Sequence, residues 1–474
     1  LRLDDMNPHF WRTHDGGKTW TEIDKGIAPG APANSIREDP RKRGLLYAAT
    51  ETQVWVSIDD GDNWSSLRLD MPAISVRDIE VKDDASCLCS DLVAGTHGRG
   101  FWILDDVTPL RQAAEAASAS GAYLFKPEIG VRIRFGTNDP TPWPPELLAG
   151  ENPPPGAIID YYLPSAASGE FKLEFLNREG KVIRTYSSAD QARSPDPATD
   201  PIAYNKLCQQ TPNAPDCGLP LYWPAPPQVL RTSAGMHRFT WDMHYDPLPG
   251  NGGGRGGGAV GAVPHRTYPT VNSPWVAPGA YIVRLTSNGK TQTQPITIRM
   301  DPRVKITPEV QQIFTLTTRL ENDAKNALSV RTEALALIEM LKAQPQSANK
   351  EALLMKLEEL APSEAPSGPG AGRDGGSDGN GSAGRGGRGG GAVSGEPNLS
   401  NISAQLAAAV MAMQGSEMPP SASQLEACAT SEAAYIRLMT KWSALKTSVS
   451  RPAPAKTAVR ASAKRARTSS SAEQ

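Results

Sequence analysis

Long apolar runs are missing from this chain. Nowhere do 18 consecutive apolar residues occur, so no segment reads as a membrane-spanning helix. An excess of one charge is missing too: 49 Lys and Arg stand against 51 Asp and Glu, and a formal net charge of -2 excludes a strong whole-chain attraction to nucleic acid or to a membrane surface. Cysteine is scarce, five in 474 residues, and no two pairs fall at zinc-ligand spacing, so neither a resident metal nor a cofactor is expected. No n-region, apolar h-region and cleavage site open the chain, and Leu1 stands where an initiator methionine is expected. We therefore expect a chain that begins mid-protein, whose missing targeting sequence does not argue for a cytoplasmic home. An apolar content of 39% over this length suits about three domains with separate small cores.

What the chain does have is a repeat. Thr13-His14-Asp15-Gly16-Gly17-Lys18-Thr19-Trp20 and Ser57-Ile58-Asp59-Asp60-Gly61-Asp62-Asn63-Trp64 match as Asp-box motifs 44 residues apart. A period of about 40 to 45 residues with one tight turn each is the spacing of a four-stranded β-propeller blade. In the second period, strands are predicted over Ser35–Glu38, Leu45–Ala49, Val54–Ser57 and Ser65–Leu69, between Pro40, Gly44 and Gly61. A third unit repeats the pattern over Ser75–Val81, Asp91–Gly95 and Gly100–Leu104, with Asp105 at the box aspartate's place, 46 residues after Asp59. In a box the Asp accepts backbone N–H groups of its own turn, Gly (Gly17, Gly61) takes a φ other residues resist, and Trp (Trp20, Trp64) packs between strands. That chemistry holds a hairpin and needs no substrate.

Antiparallel topology puts the turn after strand two and the turn after strand three at opposite ends, and the boxes are of the second kind. Ligand candidates therefore sit in the other turns, Thr50–Gln53 and Thr96–Gly100, with His97 and Arg99 as the candidate binding residues. A tight turn made by Gly98 and Gly100, with His97 and Arg99 merely solvated, is the alternative.

The two boxes, together with the run Asp91-Leu92-Val93-Ala94-Gly95-Thr96-His97-Gly98-Arg99-Gly100-Phe101-Trp102-Ile103-Leu104-Asp105-Asp106, resemble the last blades of bacterial sortilin-like, BNR-repeat proteins, many of them labelled glycosyl hydrolases. The resemblance implies a large extracytoplasmic propeller, often ten-bladed, followed by β-sandwich and helical segments. It is strong over about the first 110 residues. Asp boxes occur in sialidases, xyloglucanases and photosystem assembly factors alike, so they mark a blade and not an activity. Two and a half blades cannot close a ring, and the missing propeller blades of a longer chain become an expected partner of residues 1–109.

Beyond Pro109 the pattern changes. Residues 110–302 read as a β-sandwich of immunoglobulin or fibronectin type with Pro- and Gly-rich loops, from the hairpin Phe171–Phe175, turn 177–180, Val182–Tyr186 and strands at His237–Asp242, Tyr281–Leu285 and Ile296–Ile298. The pairing of a Trp-Asp strand with a Pro-Gly-x-Tyr strand is similar to the Ig-like module of flagellar hook-capping proteins, an accessory element there. Cys208 and Cys217 lie at a spacing that permits a small disulfide ring, whereas a bridge from Cys87 to Cys89 is disfavoured by the single residue between them. Asp242, His244 and Asp246 share a face if the strand runs on, which would suit a divalent metal; Pro247 and the glycines 252–258 argue that the strand stops first.

Residues 303–447 read as an antiparallel helical hairpin or small bundle. Thr307 caps a helix with Pro308 at its first position and Glu309 complementing its dipole, and Leu316, Leu320, Ala327, Val330, Ala334, Leu337 and Leu341 form a stripe. Helices over Lys350–Leu360, Leu399–Met413 and Ser423–Leu445 follow, the last opposing the first through Leu425, Ile436, Met439 and Trp442. The Gly-rich insertion 362–397 and the basic tail 448–474 lack the apolar residues to bury and are expected to be disordered. Gly375–Gly379 spells a nucleophile elbow with no strand before it, and the RGG-like arginines are too few to indicate RNA binding.

The function expected from these readings is a secreted or periplasmic scaffold that binds a protein, peptide or glycan, with no specific nucleic-acid partner. The alternative is a glycoside hydrolase, sialidase- or xyloglucanase-like, whose catalytic residues lie largely in the missing blades. That chemistry needs two carboxylates about 5 to 10 Å apart, or a Tyr nucleophile with an arginine clamp. No visible carboxylate pair meets it, so whether the chain is an enzyme stays open at this point.

Overall fold

The structure, a computed structural model, describes residues 4–84, 89–134, 156–190, 195, 200–211, 217, 228–247, 273–362 and 396–450. It is mainly β, with several sheets followed by helices. The first strands are short: β1 (Trp11–Arg12) and β2 (Thr21–Glu22) form a hairpin. Next, β3 (Ala33–Glu38), β4 (Leu46–Thr50), β5 (Val54–Ser57) and β6 (Ser65–Ser66) run up and down in sequential order as a four-stranded antiparallel sheet. Then β7 (Val76–Asp84), β8 (Cys89–Thr96) and β9 (Phe101–Leu104) make a three-stranded one.

The middle strands β4 and β5 are buried throughout, which explains their almost wholly apolar spelling LYAAT and VWVS. Tyr47, Val54 and Val56 share a core with Ile79, Val81 and Leu92, so the two sheets pack against each other. Arg37 with Asp78 and Arg41 with Asp83 bridge the same sheets at 2.8 and 2.7 Å.

A turn of 3₁₀ helix at Thr108–Gln112 and the short α1 (Ala113–Ala117) lead into a two-sheet body. Its smaller sheet has β10 (Tyr123–Leu124), β12 (Ala157–Leu163) and β15 (Gly235–Trp241); its larger has the order β11 (Gly130–Arg132), β17 (Lys290–Met300), β16 (Gly279–Ser287), β13 (Phe171–Leu176), β14 (Val182–Ser187). Alternation builds the core between them: Ile159, Tyr161 and Leu163 from one sheet meet Phe171, Leu173, Val283 and Leu285 from the other, and Trp241 stacks on Phe175 at 4.0 Å. Burying side chains of this size contributes about 1.5–3 kcal/mol each. The helix α2 (Pro201–Gln210), capped by Asp200 through Ala203 N, carries Cys208, which is disulfide-bonded to Cys217.

The helices are α3 (Pro308–Lys342), α4 (Ala348–Leu360), α5 (Ile402–Met413) and α6 (Ala422–Ser450). Two compact units result. One takes in the described residues up to 322 with 407–428, the other the described residues of 323–406 and 429–450. Thr307 Oγ1 accepts Val310 N, as an N-cap does. Two expectations need correcting. On α6 the buried stripe is Ala434, Leu438 and Trp442, while Ile436 is exposed. Asn326 meets Tyr435 and Glu333 meets Lys446 at 2.7 Å each, so α3 and α6 run in the same direction and not antiparallel. The 79 residues from 343 to 421 separate these helices, so no short turn forces a reversal between them.

No helix among the described residues is long and apolar enough to cross a membrane. Nearly all of the insertion 362–397 and of the basic tail 448–474, the elbow-like run 375–379 and the glycines 252–258 lie outside the described residues.

Candidate functional site

Each Asp box consumes its own carboxylate. Asp15 Oδ1 accepts Lys18 N and Thr19 N at 2.9 Å and Oδ2 accepts Thr19 Oγ1 at 2.7 Å, and these donors hold the carboxyl down at about 2. Asp59 does the same for Asn63 N and Nδ2 at 2.9 and 2.8 Å. Gly17 and Gly61 take φ of +89° and +90°, and a Cβ on Gly61 would sit 2.6 Å from Ile23 Cδ1. Trp64 is buried on Phe10 and donates to Ile23 O at 2.6 Å, whereas Trp20 closes its own turn onto Gly17 O and stays exposed. The register places Asp106, and not Asp105, at the position of Asp59: two residues beyond the third strand, it accepts Thr108 N and Oγ1 at 2.9 and 2.5 Å.

At the other end of these sheets, the two turns named from topology come together. Ile74 N donates to Thr52 O at 3.0 Å and His97 N to Ser75 O at 2.9 Å, so the link between the sheets stitches the turn 50–53 to the turn 96–100. Gly98 and Gly100, at φ of +95° and +67°, make the second turn tight. His97 and Arg99 are exposed on it, and Arg77 pairs with Glu51 at 2.8 Å beside it. The turn 96–100 presents imidazole and guanidinium donors, which suit anionic or hydroxyl-rich ligand groups.

Sequence reasoning missed two buried ionic clusters. Asp39, fully enclosed, takes Arg111 through Nε at 2.9 Å and Nη2 at 3.0 Å and also accepts Arg41 N and Lys42 N. The second sits where the three-stranded sheet meets the two-sheet body. Arg238 donates to Asp105 O and Asp106 O at 2.5 and 2.9 Å and grips Asp160 at 3.0 Å. Asp91 accepts Asp106 N at 3.1 Å. Burial, with the charges of Asp106 and Asp91 added, pushes the Glu128 carboxyl up to about 8, and burial likewise raises Asp106 and Asp160. Glu128 therefore holds its proton at neutral pH beside ionisable neighbours. The partners in each cluster lie tens of residues apart, so no local pattern announces them.

The metal geometry considered for Asp242, His244 and Asp246 does not form. The strand β15 stops at Trp241; Asp242 accepts His244 N at 3.1 Å, Asp246 accepts Thr185 N at 3.1 Å, and both face Arg184. His244 donates Nδ1–H to Asp242 O at 2.7 Å, and burial lowers its pKa to about 4. Among the described residues, one group of three metal-capable side chains comes together, His9, Glu22 and Asp24, with donor atoms within 4.8 Å. It lies at the surface, and both ring nitrogens of His9 are taken by Glu22 at 2.5 Å and Asp5 at 2.9 Å. Cys89 is disulfide-bonded, Cys87 lies outside the described residues, and Cys428 is buried.

No protein-family model matches the chain, and no curated protein matches it.

Proposed function

We propose that the chain is part of an Asp-box propeller protein of the sortilin-like type, acting outside the cytoplasm as a scaffold. On this reading the sheets of residues 1–109 are its last blades and the two-sheet body is an Ig-like spacer. The ligand, a protein, peptide or glycan, sits at the end where the turns 50–53 and 96–100 are joined.

The observation that supports it is the division of labour between the two ends. The box carboxylates are spent on their own turns, while His97 and Arg99 stand exposed on a tight glycine turn at the opposite end. The buried carboxyls Asp106, Glu128 and Asp160 are engaged with Arg238, Thr108 and the body's core, a structural use and not the open acid–base pair that glycoside hydrolysis needs.

The test is glycan- and peptide-array binding with parallel measurement of reducing-sugar release. We expect binding without sugar release, weakened about 10-fold or more by His97→Ala with Arg99→Ala, the loss of two charge-assisted contacts. Release of sugar that a single carboxylate substitution abolishes would replace the scaffold reading with the hydrolase.

A further inference from the structure

The first hairpin, β1 with β2, is built on the same plan as β5 with β6, 44 residues further on. Trp11 pairs with Glu22 and Arg12 with Thr21, as Trp55 pairs with Ser66 and Val56 with Ser65. Beyond these pairs Ile23 N donates to Phe10 O and Ile27 N to Asp24 O, as Leu67 N donates to Val54 O and Met71 N to Arg68 O. His9, Glu22 and Asp24 therefore stand where Gln53, Ser66 and Arg68 stand in the later hairpin.

The two hairpins differ in the chemistry of those three positions. In the later one Ser66 donates its hydroxyl to Gln53 Oε1 at 2.7 Å, a neutral contact. In the first, His9 Nδ1 lies 2.5 Å from Glu22 Oε1 and the Asp24 carboxylate joins them, so that one donor atom from each lies within 4.8 Å of the other two. The ladder sets this up: pairing Trp11 with Glu22 puts His9 opposite Asp24, and alternation turns Glu22 and Asp24 to the same side. Asp5 takes the other ring nitrogen, Nε2, at 2.9 Å. Among the described residues, no Lys or Arg pairs with Glu22 or Asp24, so two carboxylates gather around one imidazole. The later hairpin closes in the same register without any such set, so the fold does not require it.

An imidazole nitrogen with two carboxylate oxygens is a borderline ligand set, of the kind that holds zinc through three side chains with a fourth position open, and the two carboxylates balance the charge of the ion. Asp5 adds the outer carboxylate: by accepting Nε2–H it fixes the tautomer that leaves Nδ1 as the ligand. The metal takes the place of the proton between His9 Nδ1 and Glu22, and donor atoms already within 4.8 Å settle at about 3.4 Å, the edge of a tetrahedron with bonds of about 2.1 Å. The side chains of His9 and Glu22 are 44% and 37% exposed, able to make that adjustment and open to an ion from solvent. We propose that His9, Glu22 and Asp24 form a zinc-binding site, with Asp5 orienting the imidazole. Cysteine spacing speaks only for thiolate sites and is silent on a ligand set assembled across a hairpin. The site rests on the register of the first hairpin and not on the ligand reading.

Titration calorimetry of the full chain with zinc chloride at neutral pH tests it. The parent is expected to bind zinc at least about 100-fold more tightly than calcium, as a site with an imidazole ligand does. His9→Gln with Glu22→Ser, which installs the residues of the later hairpin and keeps the circular dichroism of the parent, is expected to abolish that binding. Asp24→Asn alone is expected to weaken it roughly 100-fold, and Asp5→Asn, which leaves all three ligands in place, about 10-fold or more. Cobalt is expected to give the visible absorption of a tetrahedral site in the parent and none in the His9→Gln, Glu22→Ser chain. A parent that binds no zinc, zinc held no more tightly than calcium, or zinc held as tightly by the doubly substituted chain or by Asp24→Asn would each overturn the proposal; an unchanged affinity in Asp5→Asn would overturn the orienting role.

Discussion

Asp15 and Asp39 each accept several short hydrogen bonds, yet their removal has different consequences. Asp15 is exposed and answers backbone N–H groups that water can reach, so its loss loosens one turn. Asp39 has a side chain with no exposure and faces Arg111, itself only 12% exposed. Replacing Asp39 with Ala leaves the buried Arg111 guanidinium with only Asp83, at 3.9 Å, and two backbone N–H groups without their acceptor, a loss of about 3–5 kcal/mol. Urea denaturation of Asp39→Ala is expected to show that loss, and Arg111→Met combined with it is expected to recover part, since an apolar side chain removes the stranded charge. A loss below about 1 kcal/mol, the range of surface ion pairs, would mean that water reaches the pair.

At the scale of the element, the box turn is a part that tolerates some changes and not others. Gly61→Ala pushes a Cβ to 2.6 Å from Ile23 at a φ of +90°, whereas at Gly16 the same Cβ meets nothing within 4 Å. Thermal unfolding is expected to show a loss of about 2 kcal/mol or more for Gly61→Ala and of about 1 kcal/mol for Gly16→Ala, where only the strained φ counts. Turns and alternation made much of the fold readable: the strands from β3 to β9, the hairpin of β13 and β14, and the cap at Thr307 follow from residues a few positions apart. β12 escaped because Ala157–Leu163 is spelled almost wholly with apolar residues, Ile158 and Tyr162 on its half-buried outer face included, so its alternating burial leaves no polar–apolar alternation in the sequence. The helix α2 escaped although Asp200-Pro201 spells a cap and a first turn, because the surrounding prolines suggested a loop throughout. The turns that meet near His97 were legible from antiparallel topology alone. The grip of Arg111 on Asp39 spans 72 residues, and that of Arg238 on Asp160 spans 78, distances over which only the folded chain sets neighbours.

In the larger of the two units, one junction makes stability depend on pH. Glu128 has a folded pKa of about 8 against an ordinary 4.5, so it favours the folded state below pH 4.5 and that contribution is lost as pH rises towards 8. Raised pKa values at Asp106 and Asp160 act in the same sense. Unfolding temperature is therefore expected to fall between pH 5 and about 8, and Glu128→Gln, which keeps the shape without the charge, is expected to flatten most of that slope. A slope unchanged in the variant would place the titration elsewhere. A different property follows from the way the larger sheet of the two-sheet body is entered and left. The chain enters it through β11 and leaves it through β17, and these two strands are direct neighbours running parallel, Gly130 beside Ile298 and Arg132 beside Met300. Tension applied along the chain pulls the start of one and the end of the other in opposite directions, so it drags the pair lengthwise and loads every bond between them at once. An antiparallel pair pulled at its adjacent ends peels open one bond at a time. The larger sheet is thus arranged to resist force applied along the chain.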